Sequence, residues 1–276
     1  MFDFPTENNV NTERHSFFGG RTTLYAAERH QRILKEARNQ GRVEVAGLAS
    51  LLDVTAETIR RDLTALERHG LLRRVHGGAI PLDRLGFEPG LATRDAVLTA
   101  EKERIAKAAL KELPPEGAIL LDAGTTTARL ADALPAEHVL TVVTNSLPIA
   151  MKLTGSPNLT ILFLGGRVRG RTLAAVDVWA MRALEESFVE VAFVGTNGFS
   201  VQRGLTTPDP TEAAVKRAMI GAARRSIVLA DHTKFGNDTL MRFGSLEDVD
   251  TLITDNGLDP ESAREVESTG VRVVRA

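Results

Sequence analysis

Hydroxyl-bearing and charged residues follow the apolar run 118–122, and they are the first feature of this sequence with a chemical meaning. Asp122, Ala123 and Gly124 lead into three consecutive threonines. If a strand ends here and a helix follows, backbone N–H groups and hydroxyls converge on one point, where the helix dipole favours an anion. Threonine also caps helices for structural reasons alone, so the loop leaves both interpretations open.

Four further apolar runs end in residues of the same kind. They lead into Thr144-Asn145-Ser146, Leu164-Gly165-Gly166-Arg167, Gly195-Thr196-Asn197-Gly198 and Asp231-His232-Thr233-Lys234. N–H and cationic groups bind phosphate, and carboxylates and amides bind hydroxyls, so five such ends together have the composition of a sugar phosphate pocket. Glycine and asparagine are also common loop residues, and that role explains any single loop as well.

A second constellation lies nearer the N-terminus. In the segment after Thr55, one helix face is apolar and the other carries Glu57, Arg61, Thr64 and Arg68. Such charges are usually solvated, so this face alone would also suit a small helical bundle. Two short apolar stretches around Gly77-Gly78 then predict a β-hairpin wing, which would place its basic residues beside a DNA backbone.

The elements that would position these residues form a winged helix-turn-helix over residues 24–82. A helix over 26–39, a short second helix and a third helix from the N-cap Thr55 to about His69, closed by Gly70, precede the wing. This order places a recognition helix in the major groove of DNA. The predicted DNA-binding residues are Thr55, Glu57, Thr58, Arg60, Arg61, Arg73, Arg74 and His76.

The predicted sensor domain, residues 99–276, alternates strands and helices. Strands are predicted over 118–122, 139–144, 159–164, 191–195, 226–230, 251–254 and 271–274, and helices over 128–134, 148–153, 212–225 and 261–268. Apolar strands linked by helical crossovers predict an α/β fold with a mostly parallel sheet, whose ligands bind at the strands' carboxyl ends. Residues 83–98 are predicted to be a linker, and residues 1–23 a disordered extension.

The composition excludes several classes of site. The 276 residues include no cysteine, which rules out disulfides, thiolate metal sites and cysteine nucleophiles and fits a cytoplasmic protein. No apolar run reaches the roughly 18 residues of a membrane span, and the N-terminus predicts no secretion signal. Residues 24–82 carry a net charge of +3 and the remainder −5, so the N-terminal head suits phosphate binding.

Longer motifs identify a family. The run TAETIRRDLTALERHGLLRRVHGGAIP, residues 55–81, resembles the helix-turn-helix signature of the DeoR family of bacterial regulators. The motifs DAGTTT, VVTNSLPIA, LGGRV, VAFVGTNGFS and LADHTKFG resemble the family's sensor domain in its usual order, so the resemblance covers about residues 24–254. It implies that Arg60, Arg61 and the wing contact operator DNA. It also implies a sensor similar in fold to ribose-5-phosphate isomerase and a phosphorylated sugar as the effector.

The resemblance also assigns effector-site residues. The phosphate cradle would be formed by Asp122, Gly124, Thr125, Thr126 and Thr127. The pocket would further include Asn145, Gly165, Gly166, Asp231 and Lys234, with Lys216 and Arg94 as weaker candidates. One departure concerns Val176-Asp177, where the family commonly has glycine after the hydrophobic residue.

We therefore expect a repressor of a carbohydrate catabolism operon. It would bind double-stranded operator DNA as a homodimer or homotetramer and leave it when a phosphorylated sugar binds, with fructose 1-phosphate-like compounds as first candidates. No cofactor, metal ion or membrane partner is expected.

Two other functions remain open at this stage. The first alternative is a sugar phosphate isomerase-like enzyme fused to a DNA-binding domain. Asp122, Glu212, Asp231 and Lys216 are available for that chemistry, but the sequence shows no nucleophile–base set and no metal-ligand spacing. The second is an architectural DNA-binding protein, which would leave the polar strand ends unexplained.

Overall fold

The computed structural model describes residues 26–68, 71–81 and 88–276. The extension predicted over 1–23, the predicted end of the third helix at His69 and Gly70, and part of the predicted linker lie outside the described residues. None of the helices in the described ranges is long and apolar enough to cross a membrane.

The head, residues 26–68 and 71–81, is a winged helix-turn-helix, as the sequence predicts. Its elements are α1 (Ala26–Gln40), β1 (Val43–Glu44), α2 (Val45–Leu51), α3 (Ala56–Arg68), β2 (Leu72–Val75) and β3 (Gly78–Pro81). β2 and β3 form the antiparallel wing, and β1 pairs with β3. A Cβ at Gly78 would lie 1.9 Å from the Val43 carbonyl oxygen, so only glycine allows β1 and β3 to approach this closely.

The helices of the head share one small core. Ile33 of α1, Leu48 of α2 and Ile59, Leu63 of α3 are all buried in it. Thr55 is confirmed as the N-cap of α3, because its Oγ1 accepts a hydrogen bond from the Thr58 N–H at 3.1 Å. α3 therefore buries one face and leaves the other face to solvent.

The remaining elements belong to the sensor. They are α4 (Leu91–Asp95), α5 (Thr99–Ala109), β4 (Gly117–Leu121), α6 (Thr125–Asp132), β5 (Leu140–Thr144), α7 (Leu147–Leu153), β6 (Leu159–Phe163), β7 (Arg167–Val168), β8 (Ala175–Val176), α8 (Val178–Glu185), β9 (Val189–Gly195), β10 (Gly198–Ser200), β11 (Gly204–Thr207), α9 (Pro210–Gly221), β12 (Ala223–Leu229), β13 (Met241–Gly244), β14 (Thr251–Thr254), α10 (Pro260–Glu267) and β15 (Arg272–Arg275).

Seven of these strands form one parallel sheet in the order β15-β14-β12-β9-β4-β5-β6. Alternate residues along each strand enter two apolar layers. Ile119 and Leu121 pack in the layer that contains Ile105 of α5, and Leu120 packs in the layer that contains Val215 of α9. The predicted α/β class, with a parallel sheet covered on both faces, is confirmed.

The chain reverses its direction across the sheet between β4 and β9. From β4 it continues to β5 and β6 on one side, and it then returns to β9 and proceeds through β12, β14 and β15 on the other. A crevice at the carboxyl ends of two such strands is where ligands bind in open α/β sheets. The five polar strand ends singled out in the sequence belong to β12, β9, β4, β5 and β6, which are neighbours in the sheet.

Several features differ from the sequence-based prediction. The helix predicted over 128–134 spans Thr125–Asp132, α4 lies within the predicted linker, and α8 and the β7–β8 pair were not predicted. Two further differences concern α9 and a smaller sheet. The helix predicted over 212–225 spans Pro210–Gly221, because the Asp209 side chain caps its start and the chain already enters β12 at Ala223. The three strands β10, β11 and β13 form a separate antiparallel sheet that was not predicted. Each has only three or four residues, which is too short for an alternating pattern to be recognised.

The departure from the family pattern at Asp177 coincides with an unusual backbone conformation. Asp177 lies between β8 and α8 with φ +76° and ψ −167°. Glycine reaches this region without a steric cost, whereas residues with a Cβ rarely adopt it. The glycine expected from the resemblance therefore has a physical reason, and aspartate stores strain at this position.

Candidate functional site

A cavity of about 280 Å³ opens at the carboxyl ends of β4 and β9. Its wall comes from the β4–α6 loop, the residues after β9, α9, the end of β12 and the α4–α5 region. Four residues of the head also line it, namely Gln31, Leu34, Leu71 and Pro81. Small-molecule sites usually measure about 300–1,000 Å³, so this cavity suits a small metabolite rather than a dinucleotide.

The β4–α6 loop forms the part of the wall that suits an anion. Gly124 precedes α6 and no side chain caps the helix, so the first-turn N–H groups have no acceptor within it. Thr125 and Thr126 are buried and line the cavity. Thr127 Oγ1 donates to the Gly124 carbonyl at 3.0 Å, and a Cβ at residue 124 would lie only 3.1 Å from that hydroxyl. An anion here would face the positive end of α6.

A buried ion pair supports this loop from below. Lys216 Nζ of α9 pairs with the Asp122 carboxylate and donates to the Gly195 carbonyl at 2.9 Å. The Gly195 N–H donates to Asp122 Oδ2 at 2.9 Å. Burial raises the pKa of the Asp122 carboxyl, and the Lys216 ammonium opposes that rise. Lys216 lines the cavity, whereas Asp122 lies behind it and joins β4 to β9.

Three further cationic side chains line the cavity: Arg94, Lys102 and Lys234. Lys234 Nζ lies 3.9 Å from Asp231 Oδ2. Lys102 Nζ donates to the carbonyls of Arg94 and Val97, and burial lowers the pKa of Lys102 to about 8 against the attraction of Asp231. The sequence analysis missed Lys102, because its position on α5 resembles that of an ordinary solvated helix residue.

Arg94 has donors with no acceptor in the described part of the chain. Its Nη1 lies 3.7 Å from Glu88 Oε1, but its Nε and Nη2 are buried without a hydrogen-bond partner there. Thr239 Oγ1, at the same cavity, is buried and unpartnered in the same sense. Buried guanidinium N–H groups are rarely left unsatisfied, and their side-on pair fits two oxygens of one phosphate or carboxylate.

Neutral polar groups complete the wall, and the sequence analysis did not assign them individually. They are Thr196, Asn197, Thr233, Asn237 and Thr239. Thr196, Asn197 and Thr233 follow strand ends that had been singled out, whereas Asn237 and Thr239 lie before β13, in a segment without a sequence signal. Hydroxyl and amide groups of this kind are suited to the hydroxyls of a sugar.

Four of the predicted effector residues do not line the cavity: Asp122, described above, and Asn145, Gly165 and Gly166. Asn145 lies behind the cradle, where its Oδ1 accepts from the Ala123 N–H at 2.9 Å and its Nδ2 donates to the Ala175 carbonyl at 3.4 Å. Gly165 and Gly166 follow β6, the edge strand, which lies two strands beyond β4. Asn145 therefore positions the loop, and the two glycines shape the sheet edge.

The carboxylates of the cavity are already engaged. Glu212 Oε1 accepts from Arg169 Nη1 at 2.5 Å, Asp231 Oδ1 from the Thr233 N–H at 3.1 Å, and Asp238 Oδ1 from Ser200 Oγ at 2.8 Å. Within residues 26–68, 71–81 and 88–276, no three histidine, aspartate or glutamate side chains are grouped as metal ligands. The arrangement offers groups that bind an anion and hydroxyls, and it holds its carboxylates in fixed contacts.

The predicted DNA-binding residues lie together on the head. Thr55, Glu57, Thr58, Arg60 and Arg61 are at the start of α3, and Arg73, Arg74 and His76 are on β2 and the wing turn. All are exposed except Thr58, which is half-buried, and the Arg61 side chain has 82% of its surface exposed. Arg74 Nη1 donates to Thr64 Oγ1 at 3.1 Å, which links the wing to α3. A basic helix start and a basic wing thus form one continuous face.

Asp62 is a positioning residue that the sequence analysis did not identify. It is buried on α3, where its Oδ2 accepts from Arg29 Nε at 2.5 Å and its Oδ1 lies 3.0 Å from His30 Nε2. The hydrogen bond to Asp62 raises the pKa of the Arg29 guanidinium, although burial opposes this. The interaction ties α3 to α1 and so fixes the angle at which α3 leaves the head.

Comparison with family models covers both domains. A model of the DeoR-like helix-turn-helix domain matches residues 29–84, and a model of the DeoR C terminal sensor domain matches residues 98–256. The chain belongs to the DeoR family. The sensor match alone spans more than half of this DeoR-family chain. Together the two matches contain the basic face of the head and the cavity wall except Pro89, Thr93, Arg94 and Val97, which lie between the matched ranges.

Curated relatives match over nearly their whole length. The HTH-type transcriptional regulator GlpR of Haloferax volcanii is 38% identical over 251 residues, which is 91% of this chain and 98% of the relative. The putative aga operon transcriptional repressor of Escherichia coli O157:H7 is 30% identical, over 93% and 96% of the two chains. The glycerol-3-phosphate regulon repressor of Escherichia coli K12 is 32% identical, over 83% and 90%. This DeoR-family chain is a DNA-binding transcriptional regulator.

Solved structures with a similar chain path include an isomerase. Ribose 5 phosphate isomerase A from Neisseria gonorrhoeae matches 52% of this chain and 55% of its own, with 16% identity and a TM-score of 0.37. The eIF2B delta subunit from Chaetomium thermophilum matches 79% and 69%, with 15% identity and a TM-score of 0.41.

Proposed function

We propose that this DeoR-family regulator represses a carbohydrate catabolism operon and leaves its operator when a phosphorylated sugar occupies the cavity between β4 and β9. The observation that supports this most directly is the combination of an uncapped helix start with Lys216 and Arg94 at one cavity. A phosphate group with a charge of about −1.5 to −2 is complementary to such a site. The hydroxyl and amide groups on the other walls supply partners for the sugar.

The names of two relatives support the same class of effector and the same direction of control. One relative is a glycerol-3-phosphate regulon repressor, and another is a putative aga operon transcriptional repressor. We extend this to the present chain as a repressor that works as a homodimer or homotetramer, because one helix-turn-helix reads only a short half-site.

Binding is better supported than catalysis. Isomerisation of a sugar phosphate requires a carboxylate that can take a proton from the substrate carbon. Asp122 lies behind the cavity wall, and Glu212, Asp231 and Asp238 are held by hydrogen bonds to neighbouring side chains or backbone. We therefore propose that the chain is not an enzyme, and we expect no turnover of pentose or hexose phosphates.

Operator release tests the proposal. An operator is first selected in vitro from a random duplex library, and its affinity is then measured by gel shift with fructose 1-phosphate, glycerol 3-phosphate, inorganic phosphate or unphosphorylated fructose. We expect at least one phosphorylated compound to weaken operator binding by about 5- to 150-fold, the usual range of allosteric coupling. The proposal is wrong if unphosphorylated fructose acts as strongly as the phosphorylated compounds, or if none of them changes operator affinity.

A further inference from the structure

The segment that follows the head is fastened to the sensor by a buried carboxylate. Glu88 is 2% exposed and lies before α4, seven residues after the last residue of the wing, Pro81. Its Oε2 accepts from Arg169 Nη1 at 3.0 Å, and its Oε1 accepts from Asn197 Nδ2 at 3.1 Å. Its carbonyl accepts from Arg171 Nη1, and the Leu91 N–H donates to the Arg171 carbonyl at 3.2 Å.

Two of the groups that hold or face Glu88 also line the effector cavity. They are Asn197 and Arg94, whose Nη1 lies 3.7 Å from Glu88 Oε1. Arg94 keeps its buried Nε and Nη2 without an acceptor in the described part of the chain, so a second anion can bind on that edge of the guanidinium. The same arginine therefore lies between the carboxylate of the linker and the place of an incoming phosphate.

The local charge balance makes simultaneous binding unfavourable. Arg169 is already shared by three carboxylates, since Glu212 Oε1 lies at 2.5 Å and Asp209 Oδ2 at 3.2 Å in addition to Glu88. A phosphate adds about −1.5 to −2 charges next to this cluster. Asp209 caps α9 and Glu212 lies within it, whereas Glu88 lies in a segment without regular secondary structure. Glu88 is the carboxylate that can leave at the lowest cost.

We propose that Glu88 is an intramolecular latch: its carboxylate holds the linker against the effector cavity in the DNA-binding state, and an anionic ligand on Arg94 displaces it. This inference rests on the proposed function, because it describes how occupancy of that cavity reaches the head. Four head residues already line the cavity, so a change at its wall also changes the surface against which the head rests.

Release of the latch changes the reach of the head. With Glu88 held, the tether from Pro81 contains seven residues and spans at most about 25 Å. With Glu88 released, the tether extends to the start of α4 at Leu91 and contains ten residues, because α4 itself stays on the sensor through Asp95, which pairs with Arg129 at 2.7 Å. The effective concentration of a tethered site falls as about the −3/2 power of tether length, so a paired half-site is occupied about twofold less well.

The substitution Glu88→Gln tests the latch in the full-length chain. It keeps the size of the side chain but removes the charge that attracts Arg94 and Arg169. The control is Glu103→Gln, which removes the same charge from an exposed position on α5. Without ligand, we expect Glu88→Gln to bind the selected operator about twofold more weakly than wild type, and Glu103→Gln to bind like wild type. The further weakening produced by fructose 1-phosphate, glycerol 3-phosphate or inorganic phosphate should shrink only in Glu88→Gln.

A measurement on wild type keeps the test valid if Glu88→Gln does not fold. Hydrogen exchange of a peptide covering residues 88–90, which lie before α4, is followed with and without the same compounds. We expect exchange of this segment to become faster with a compound that releases the operator, although ligand binding normally slows exchange. Slower or unchanged exchange with such a compound would overturn the latch, as would equal operator affinities for Glu88→Gln and Glu103→Gln. If no compound affects wild type but Glu88→Gln still weakens operator binding, the latch stands and the proposed effector class is wrong.

Discussion

Gly124 and Thr126 belong to the proposed cradle and line the cavity, so substitutions there should separate effector response from DNA binding. Thr126→Ala removes a buried hydroxyl, and Gly124→Val places carbon atoms against the Thr127 hydroxyl, to which a Cβ alone would approach within 3.1 Å. We expect both variants to bind the operator like wild type but to lose the release caused by a phosphorylated sugar, because neither residue lies in the head. Gel shifts with and without effector measure this. Thr160→Ala, at an exposed position on β6, is the control and should respond normally. An undiminished response in both cradle variants would place the effector elsewhere.

Arg61 is the most exposed arginine at the start of α3, and it makes only a long ion pair, of 4.0 Å, with Glu57. Arg61→Ala should therefore weaken operator binding with little effect on stability. A lost base contact costs about 1–3 kcal/mol and relaxes sequence preference, whereas a lost phosphate contact lowers the salt slope by about one unit. Titrations at several salt concentrations distinguish the two. The control is Arg104→Ala, which removes the same charge from α5 of the sensor and should leave both operator affinity and its salt dependence unchanged. If Arg61→Ala also leaves them unchanged, α3 does not belong to the DNA interface.

His232 adds a pH dependence near the cavity. Its Nδ1 lies 2.8 Å from Asp255 Oδ2, and this hydrogen bond raises the pKa of His232 against the effect of burial, with Asp231 and Glu101 also attracting the proton. Because the pKa of His232 is higher in the folded than in the unfolded protein, the His232–Asp255 pair stabilises the fold fully below the unfolded-state pKa of about 6.5. This stabilisation is lost as the pH rises through the pKa of His232 in the folded protein. Urea unfolding from pH 6 to about pH 8.5 should show a decline for wild type that is smaller in His232→Gln. Parallel profiles for the two proteins would contradict the assignment.

At the scale of elements, strand ends could be recognised from sequence, but their order across the sheet could not. The motifs after β4, β9 and β12 contribute residues to the cavity, because these strands lie side by side at the reversal of chain direction. Gly165 and Gly166 resemble the others as sequence, yet they follow the edge strand β6 and lie away from the cavity. Neighbourhood in a parallel sheet is decided by crossovers, which local patterns do not specify.

The buried charged side chains that link one element to another could not be identified from sequence patterns either. Lys102, Glu88 and Asp62 are charged residues in polar sequence, where solvation is the ordinary expectation. Glu88 and Asp62 are buried because a partner from a distant segment reaches each of them, Arg169 and Arg29 respectively. Lys102 is buried because the chain before α5 folds back, so that its ammonium donates to the Arg94 and Val97 carbonyls. Long-range partners of this kind carry no signal at short sequence spacing, whereas the Thr55 cap and the wing turn are local and were predicted.

The β8–α8 junction offers a test of stored strain. Asp177 has φ +76°, and it pairs with Arg167 at 2.6 Å on a half-exposed surface where an ion pair contributes little. Asp177→Gly and Asp177→Ala both remove this pair, but only glycine relieves the backbone. Backbone strain at such a position costs about 1–3 kcal/mol, and the greater conformational entropy of glycine in the unfolded chain offsets about 0.5–1 kcal/mol of the gain. We therefore expect the glycine variant to be more stable than the alanine variant by about 1–2 kcal/mol in chemical unfolding. Equal stabilities would show that the junction relaxes without cost.

At the scale of the molecule, the head and the sensor differ in how their charged groups are arranged. The head presents arginines on α3 and the wing to DNA, while the sensor holds its charges in buried pairs around the cavity. A ligand changes operator affinity only if it binds the DNA-competent and incompetent arrangements differently. The cavity wall includes residues of the sensor, of the linker and of the head, so a ligand bound there would contact the parts whose arrangement must change.

Assembly is the last requirement for specific operator binding, and the sheet edge offers a surface for it. Within the described residues, β6 is an edge strand that pairs with β5 alone, and its Leu162 is 52% exposed. Trp179, the only tryptophan in the sequence, is 75% exposed and packs beside Gly166, three residues after β6. Exposed apolar residues on an unpaired edge strand favour pairing with a second chain.

If this edge joins two copies, Leu162→Lys should dissociate the oligomer, shift Trp179 emission to longer wavelength and weaken binding to a two-half-site operator far more than binding to a single half-site. Leu240→Lys, also at 52% exposure but beside β13, should remain assembled. Light scattering and fluorescence across protein concentrations measure both effects, and a Leu162→Lys protein with wild-type mass and wild-type operator affinity would exclude this edge as the interface.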